Sequence, residues 1–86
     1  MRHARDEALD GLEPLLARLR RIDGLWEKKR GIFYRGSRAF LHFHEDPAGL
    51  FADIRRADGR DFDRVQLDDA DAREALVKAA AERATS

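Results

Sequence analysis

His42 and His44 sit two residues apart in Phe40-Leu41-His42-Phe43-His44-Glu45 and are the first place where this chain offers chemistry. In an extended strand alternate side chains share a face, so both imidazoles can reach one ion. A metal centre needs a third and a fourth ligand. Asp53 is available, but His3 stands near the start of the chain, and on this reading no metal and no cofactor is assigned. The second possibility is a row of polar side chains. Strand pairing derived below puts Asp53 opposite His42 and Arg64 opposite Asp53. A carboxylate between a cation and an imidazole stays ionised and raises the proton affinity of the ring. That arrangement suits an oriented general base, or an anion site made of His42, Arg55 and Arg64. It equally suits an ion-pair network that satisfies its own polar groups. His42, His44, Asp53, Arg55 and Arg64 are therefore candidate binding residues, and no catalytic residue is assigned.

Nucleophilic chemistry has little to work with. Cysteine is absent, which excludes disulfides, thiolate catalysis and Cys-based zinc or iron–sulfur sites. Ser37 lies in a tight turn among arginines, and Thr85 and Ser86 are at the tail. Gly31, Gly36, Gly49 and Gly59 each fall at a strand start or turn, so no phosphate-cradling loop forms.

The elements that position these residues follow from hydrophobic period and turn chemistry. Leu9, Leu12, Leu16 and Leu19, flanked by Leu15 and Ile22, recur at helical spacing. Pro14 either kinks that helix or sits in its first turn, with the regular part starting near Glu13. Asp23-Gly24 ends it. Trp26 follows in a charged link and is expected to plug the space between helix and sheet. The period then becomes two over Ile32–Arg35, Arg38–Glu45, Leu50–Arg56 and Asp61–Leu67. Gly36-Ser37, Asp46-Pro47-Ala48-Gly49 and Asp58-Gly59 join these strands as short hairpin loops. A last helix starts at Asp68-Asp69-Ala70-Asp71, whose carboxylates suit a helix N-terminus. The expected fold is α+β, an N-terminal helix, a four-stranded antiparallel meander and a C-terminal helix (α-β-β-β-β-α).

Each turn fixes a register, and the register sorts the side chains. Arg35 opposes Arg38, so Phe33 faces Phe40 and Ile32 faces Leu41. Glu45 opposes Leu50, so His42 faces Asp53 and His44 faces Phe51. Ala57 opposes Arg60, so Asp53 faces Arg64 and Arg55 faces Phe62. One face then collects Ile32, Tyr34, Ala39, Leu41, Phe43, Leu50, Ala52, Ile54, Val65 and Leu67, with Asp63 as its misfit. Two helices should cover it. The other collects Phe33, Phe40, Phe51 and Phe62 with His42, His44, Asp53, Arg55, Arg64 and Gln66. Four uncovered phenylalanines make a patch that monomers seldom expose. The expected consequence is a homodimer through that face, or a pocket completed by the N-terminal segment.

At 86 residues with 40% charged and 43% hydrophobic side chains, the chain fits one small domain, 1–86, with frayed ends at about 1–5 and 84–86. Formal net charge is zero. Residues 1–44 nevertheless carry ten Lys/Arg against six Asp/Glu, and 45–86 carry seven against eleven. The excess concentrates in Arg18, Arg20, Arg21, Lys28, Lys29, Arg30, Arg35 and Arg38. This is a solvated surface or an anion-binding patch, and it leaves nucleic acid open as a second alternative partner. No apolar run is long enough to span a bilayer. The start Met1-Arg2-His3-Ala4-Arg5-Asp6-Glu7 lacks the apolar segment of a signal peptide, so a cytoplasmic location and no membrane partner are expected.

From Leu19 to Arg56 the order of helix, Gly24-Leu25, basic link, strand, turn, strand, polar loop and strand resembles small bacterial α+β domains of the TfoX N-terminal and YjbR-like groups. The chain also resembles a member of an uncharacterised small bacterial α+β family built around Phe40-Leu41-His42-Phe43-His44-Glu45-Asp46-Pro47. The resemblance covers under half of the chain, carries no diagnostic motif and transfers no residue roles. It implies a nucleic-acid-associated or interaction role. The residues themselves favour a non-enzymatic module that self-associates through one sheet face. A small ligand-binding or metal-binding protein, or an enzyme, using His42, His44 and Asp53 is the alternative.

Overall fold

The computed structural model describes residues 1–85; residue 86, part of the tail expected to fray, lies outside them. In chain order the elements are β1 (Arg2–His3), α1 (Asp6–Gly11), α2 (Glu13–Leu19), β2 (Leu25–Lys29), β3 (Ile32–Arg35), β4 (Arg38–Asp46), β5 (Gly49–Arg55), β6 (Phe62–Gln66) and α3 (Ala70–Ala84). The class is α+β and the sheet is antiparallel. The layout of four strands and two helices is incomplete. Strand order is β2-β3-β4-β5-β6, with β1 also pairing with β4. The Trp26 link is itself the edge strand β2, and residues 2 and 3, expected at a frayed end, form β1.

Pro14 divides the leading helix. Leu12 leaves helical geometry (φ −102°, ψ 4°), ending α1 and starting α2, where Pro14 stands in the first turn. There its missing N–H breaks no intrahelical bond. Both pieces still present leucines to one side, and Leu9, Leu12, Leu15, Leu16 and Leu19 are buried. Asp69 caps α3 by accepting from the Ala72 N–H at 2.8 Å. Leu76, Ala80 and Ala84 bury one stripe of α3 at four-residue spacing. These helical residues close over Phe33, Leu41, Phe43, Ala52, Ile54 and Leu67 of the sheet side. Each large side chain so buried contributes roughly 1.5–3 kcal/mol.

The two later hairpins follow the register their turns predict: Leu41 opposes Ile54, His42 opposes Asp53, His44 opposes Phe51, Asp53 opposes Arg64 and Arg55 opposes Phe62. The first hairpin does not. Arg35 opposes Arg38 and Tyr34 opposes Ala39, but Phe33 then opposes Leu41 and Ile32 opposes His42. Phe40 is the extra residue of a β-bulge, which turns its side chain toward the core along with Leu41. The consequence corrects the face assignment. Phe33 and Phe40 are 0% and 3% exposed and belong to the core rather than to the outer face. Ile32, Tyr34 and Ala39 move the other way and are only partly buried. Asp63, the misfit of the helix-covered face, keeps regular pairing opposite Ile54 and is matched by charge: it pairs with Arg56 at 2.8 Å and with Arg83 of α3 at 3.0 Å.

Candidate metal centre

All three helices pack on the Phe33 side of the sheet, so the opposite face carries no helix among the described residues. Its side chains come from Trp26 and Tyr34 at one end, through Ile32, His42 and His44, to Phe51, Asp53, Arg55, Phe62 and Arg64. Trp26 is 49% exposed, donates from Nε1 to the Gly36 carbonyl at 2.9 Å and packs against Tyr34. It therefore caps an edge of the open face and does not fill a gap between helix and sheet.

The residue that sequence reasoning left out is His3. β4 runs over nine residues, whereas β3 has only four and pairs with β4 no further than His42. The edge of β4 beyond it is open, and β1 occupies it, with Arg2 opposite Glu45 and His3 opposite His44. Directly opposed residues share a face. His3 thus joins His42 and His44, which share that face because they are two apart on one strand. Ring centroids lie 5.5 Å apart for His3 and His42, 4.8 Å for His3 and His44, and 4.8 Å for His42 and His44. One ring nitrogen from each of the three lies within 4.8 Å of the others. His42 Nδ1 and His44 Nε2 are 2.9 Å apart. Zinc–imidazole bonds of about 2.0–2.1 Å imply ligand–ligand spacings of about 3.3 Å in a tetrahedron. The observed spacings, from 2.9 Å to at most 4.8 Å, bracket that value.

Asp53 supports the cluster from β5. It is 8% exposed, and Arg64 clamps both its oxygens at 2.8 Å. Its Oδ2 also stands 3.1 Å from His44 Nε2. Arg64 holds the carboxyl below the usual carboxylate range, against the opposing effect of burial. Burial pushes His42 down, and the His44 ring adds to that, while Asp53 opposes both. His44 is also pushed down by burial, with Asp53 opposing. The row was expected to raise proton affinity; the result is the reverse, because burial outweighs the attraction of a carboxylate already neutralised by Arg64. Neutral imidazoles are the form that binds metal.

Phe62 closes one side of the cluster, its ring edge-on to His42 at 5.2 Å. Arg55 stacks on Phe62 at 4.6 Å and donates to the Ala39 and Gly59 carbonyls. Both cations of the anticipated anion site are therefore engaged within the chain. Phe51 is partly buried opposite His44.

The basic residues of the first half are dispersed and largely paired. Arg18 meets Glu74 across α2 and α3, and Arg20 binds Glu13 and Glu27. Arg30 reaches Asp6, Asp10 and Glu13. Arg35 and Arg38 donate to the Arg83 and Gly59 carbonyls, and Lys28 lies over the Tyr34 ring. Arg21 and Lys29 are exposed. Of these acid partners Glu74 lies in the second half, while Asp6, Asp10, Glu13 and Glu27 belong to the first.

No helix among the described residues is long and apolar enough to cross a membrane. No family model, curated protein or solved structure matches the chain.

Proposed function

We propose that this chain is a small binding protein for a divalent transition metal, held by His3, His42 and His44. The convergence of three imidazoles from two paired strands carries this reading. Three nitrogen donors favour zinc, copper, nickel or cobalt over magnesium and calcium, which take oxygen ligands. Asp53 adds a carboxylate on the donor side of the cluster: its Oδ2 stands 3.1 Å from the His44 Nε2 that also faces His42, so it can serve as a fourth ligand, and Arg64 keeps it ionised. Titration calorimetry on metal-stripped protein prepared without a polyhistidine tag tests the reading. One zinc per chain is expected, with binding lost in His42→Ala and reduced in His3→Ala. A wild-type protein that releases no heat with zinc, nickel or copper rules it out.

Self-association is the second reading, favoured by the half-exposed Trp26 packed on Tyr34 at one end and the partly buried Phe51 and Phe62 toward the other of a face without helices among the described residues. Two such faces packed together would cover those rings and form a homodimer. Sedimentation at low micromolar concentration separates the cases: a dimer that Trp26→Ala weakens supports it, and a strict monomer removes it.

A further inference from the structure

We propose that the metal acts as a latch that fastens β1 to β4, placing the docking of Met1–Ala4 under the control of metal concentration. The inference rests on the three-histidine reading. The three ligands are held unequally. His42 and His44 project from a nine-residue strand paired along its length with β5. His3 projects from a two-residue strand in which both residues are exposed. Besides the two-residue ladder with β4 and a hydrogen bond between the His44 side chain and the Arg2 backbone, three contacts hold β1 and the residues after it in place. Arg2 pairs with Glu45 at 2.7 Å, the Ala4 N–H donates to the Phe43 carbonyl at 3.0 Å, and the Arg5 N–H donates to Glu45 Oε2 at 3.1 Å. Exposed ion pairs contribute little, and fixing each backbone residue opposes docking by entropy. Docking without metal thus rests on a short ladder and a few largely exposed contacts. An ion shared by His3, His42 and His44 joins the segment to β4 directly. By linkage, what the metal gains from the third imidazole stabilises the docked strand, and whatever favours docking raises metal affinity equally. Loss of the metal frees the edge of β4 beyond β3.

Amide hydrogen exchange on the full metal-stripped chain, with and without zinc, tests this. The Ala4 and Arg5 amides are expected to slow at least ~10-fold on saturation with zinc. Glu45→Gln removes a docking contact without touching a ligand and is expected to weaken zinc binding several-fold. If zinc binds but exchange at Ala4 and Arg5 is unchanged, or Glu45→Gln binds zinc as wild type does, the latch is overturned while the metal site stands. If zinc does not bind at all, the metal reading itself falls.

Discussion

At His44 a ring nitrogen lies between Nδ1 of His42 and Oδ2 of Asp53, and this crowding governs how the cluster meets protons. Burial lowers the proton affinity of His42 and His44, so folding favours the neutral form of both rings. In the unfolded chain ordinary imidazoles take up protons as pH falls through about 6.5. The unfolded state then binds more protons than the folded one, so stability is full above that pH and is lost as pH falls toward the lowered folded values. Asp53, also lowered, acts in the same direction at more acid pH. Metal-free protein should unfold at a lower denaturant concentration at about pH 5.5 than at about pH 7.5, a range spanning the ordinary imidazole value. The double variant His42→Ala/His44→Ala should narrow that gap; an equal or wider gap would refute the assignment. Asp53→Asn should weaken zinc binding, measured by the same calorimetry, because it removes the charged oxygen that meets the donor nitrogen of His44. His42, Asp53 and Arg64 were legible as one row because the two later turns set their register, and His44 joined them as the residue two along the same strand. His3 was not, because a two-residue strand has no period to read and its partner lies far along the chain.

Among the elements, the bulge at Phe40 decides which aromatic rings hold the fold together. Ile32-Phe33-Tyr34 is apolar at every position, so binary pattern alone does not say which side faces the helices. Turn geometry suggested one answer, and a single extra residue in β4 gives the other. Removing a buried phenylalanine costs about 3–5 kcal/mol, and Phe33→Ala should fall in that range by denaturant unfolding. Phe51→Ala, at a partly buried position, should cost less. Comparable losses at the two sites would contradict the bulge. Gly31 offers an independent check between β2 and β3. Its φ of +80° favours glycine, and an added Cβ would stand 2.7 Å from Leu9 Cδ2. Gly31→Ala should therefore destabilise, whereas Gly11→Ala, with nothing within 4 Å, should not. The Leu9–Leu19 stripe and the capped start of α3 were readable from spacing and carboxylates. The break at Leu12 and strand β2 were not: a proline permits either a kink or a new start, and a run rich in charge hides a strand at an edge.

For the molecule as a whole, one sheet divides the labour. Helices and leucines stabilise the Phe33 side, which leaves the other side able to carry three imidazoles, a clamped carboxylate and aromatic walls. Metal binding to the native state alone should raise the unfolding temperature in proportion to the logarithm of free zinc. Zinc X-ray absorption on the loaded protein tests the central claim most directly. Three imidazoles around one zinc at about 2.0–2.1 Å are predicted, falling to two in His3→Ala. A shell of oxygens, or the same count with and without His3, would contradict it.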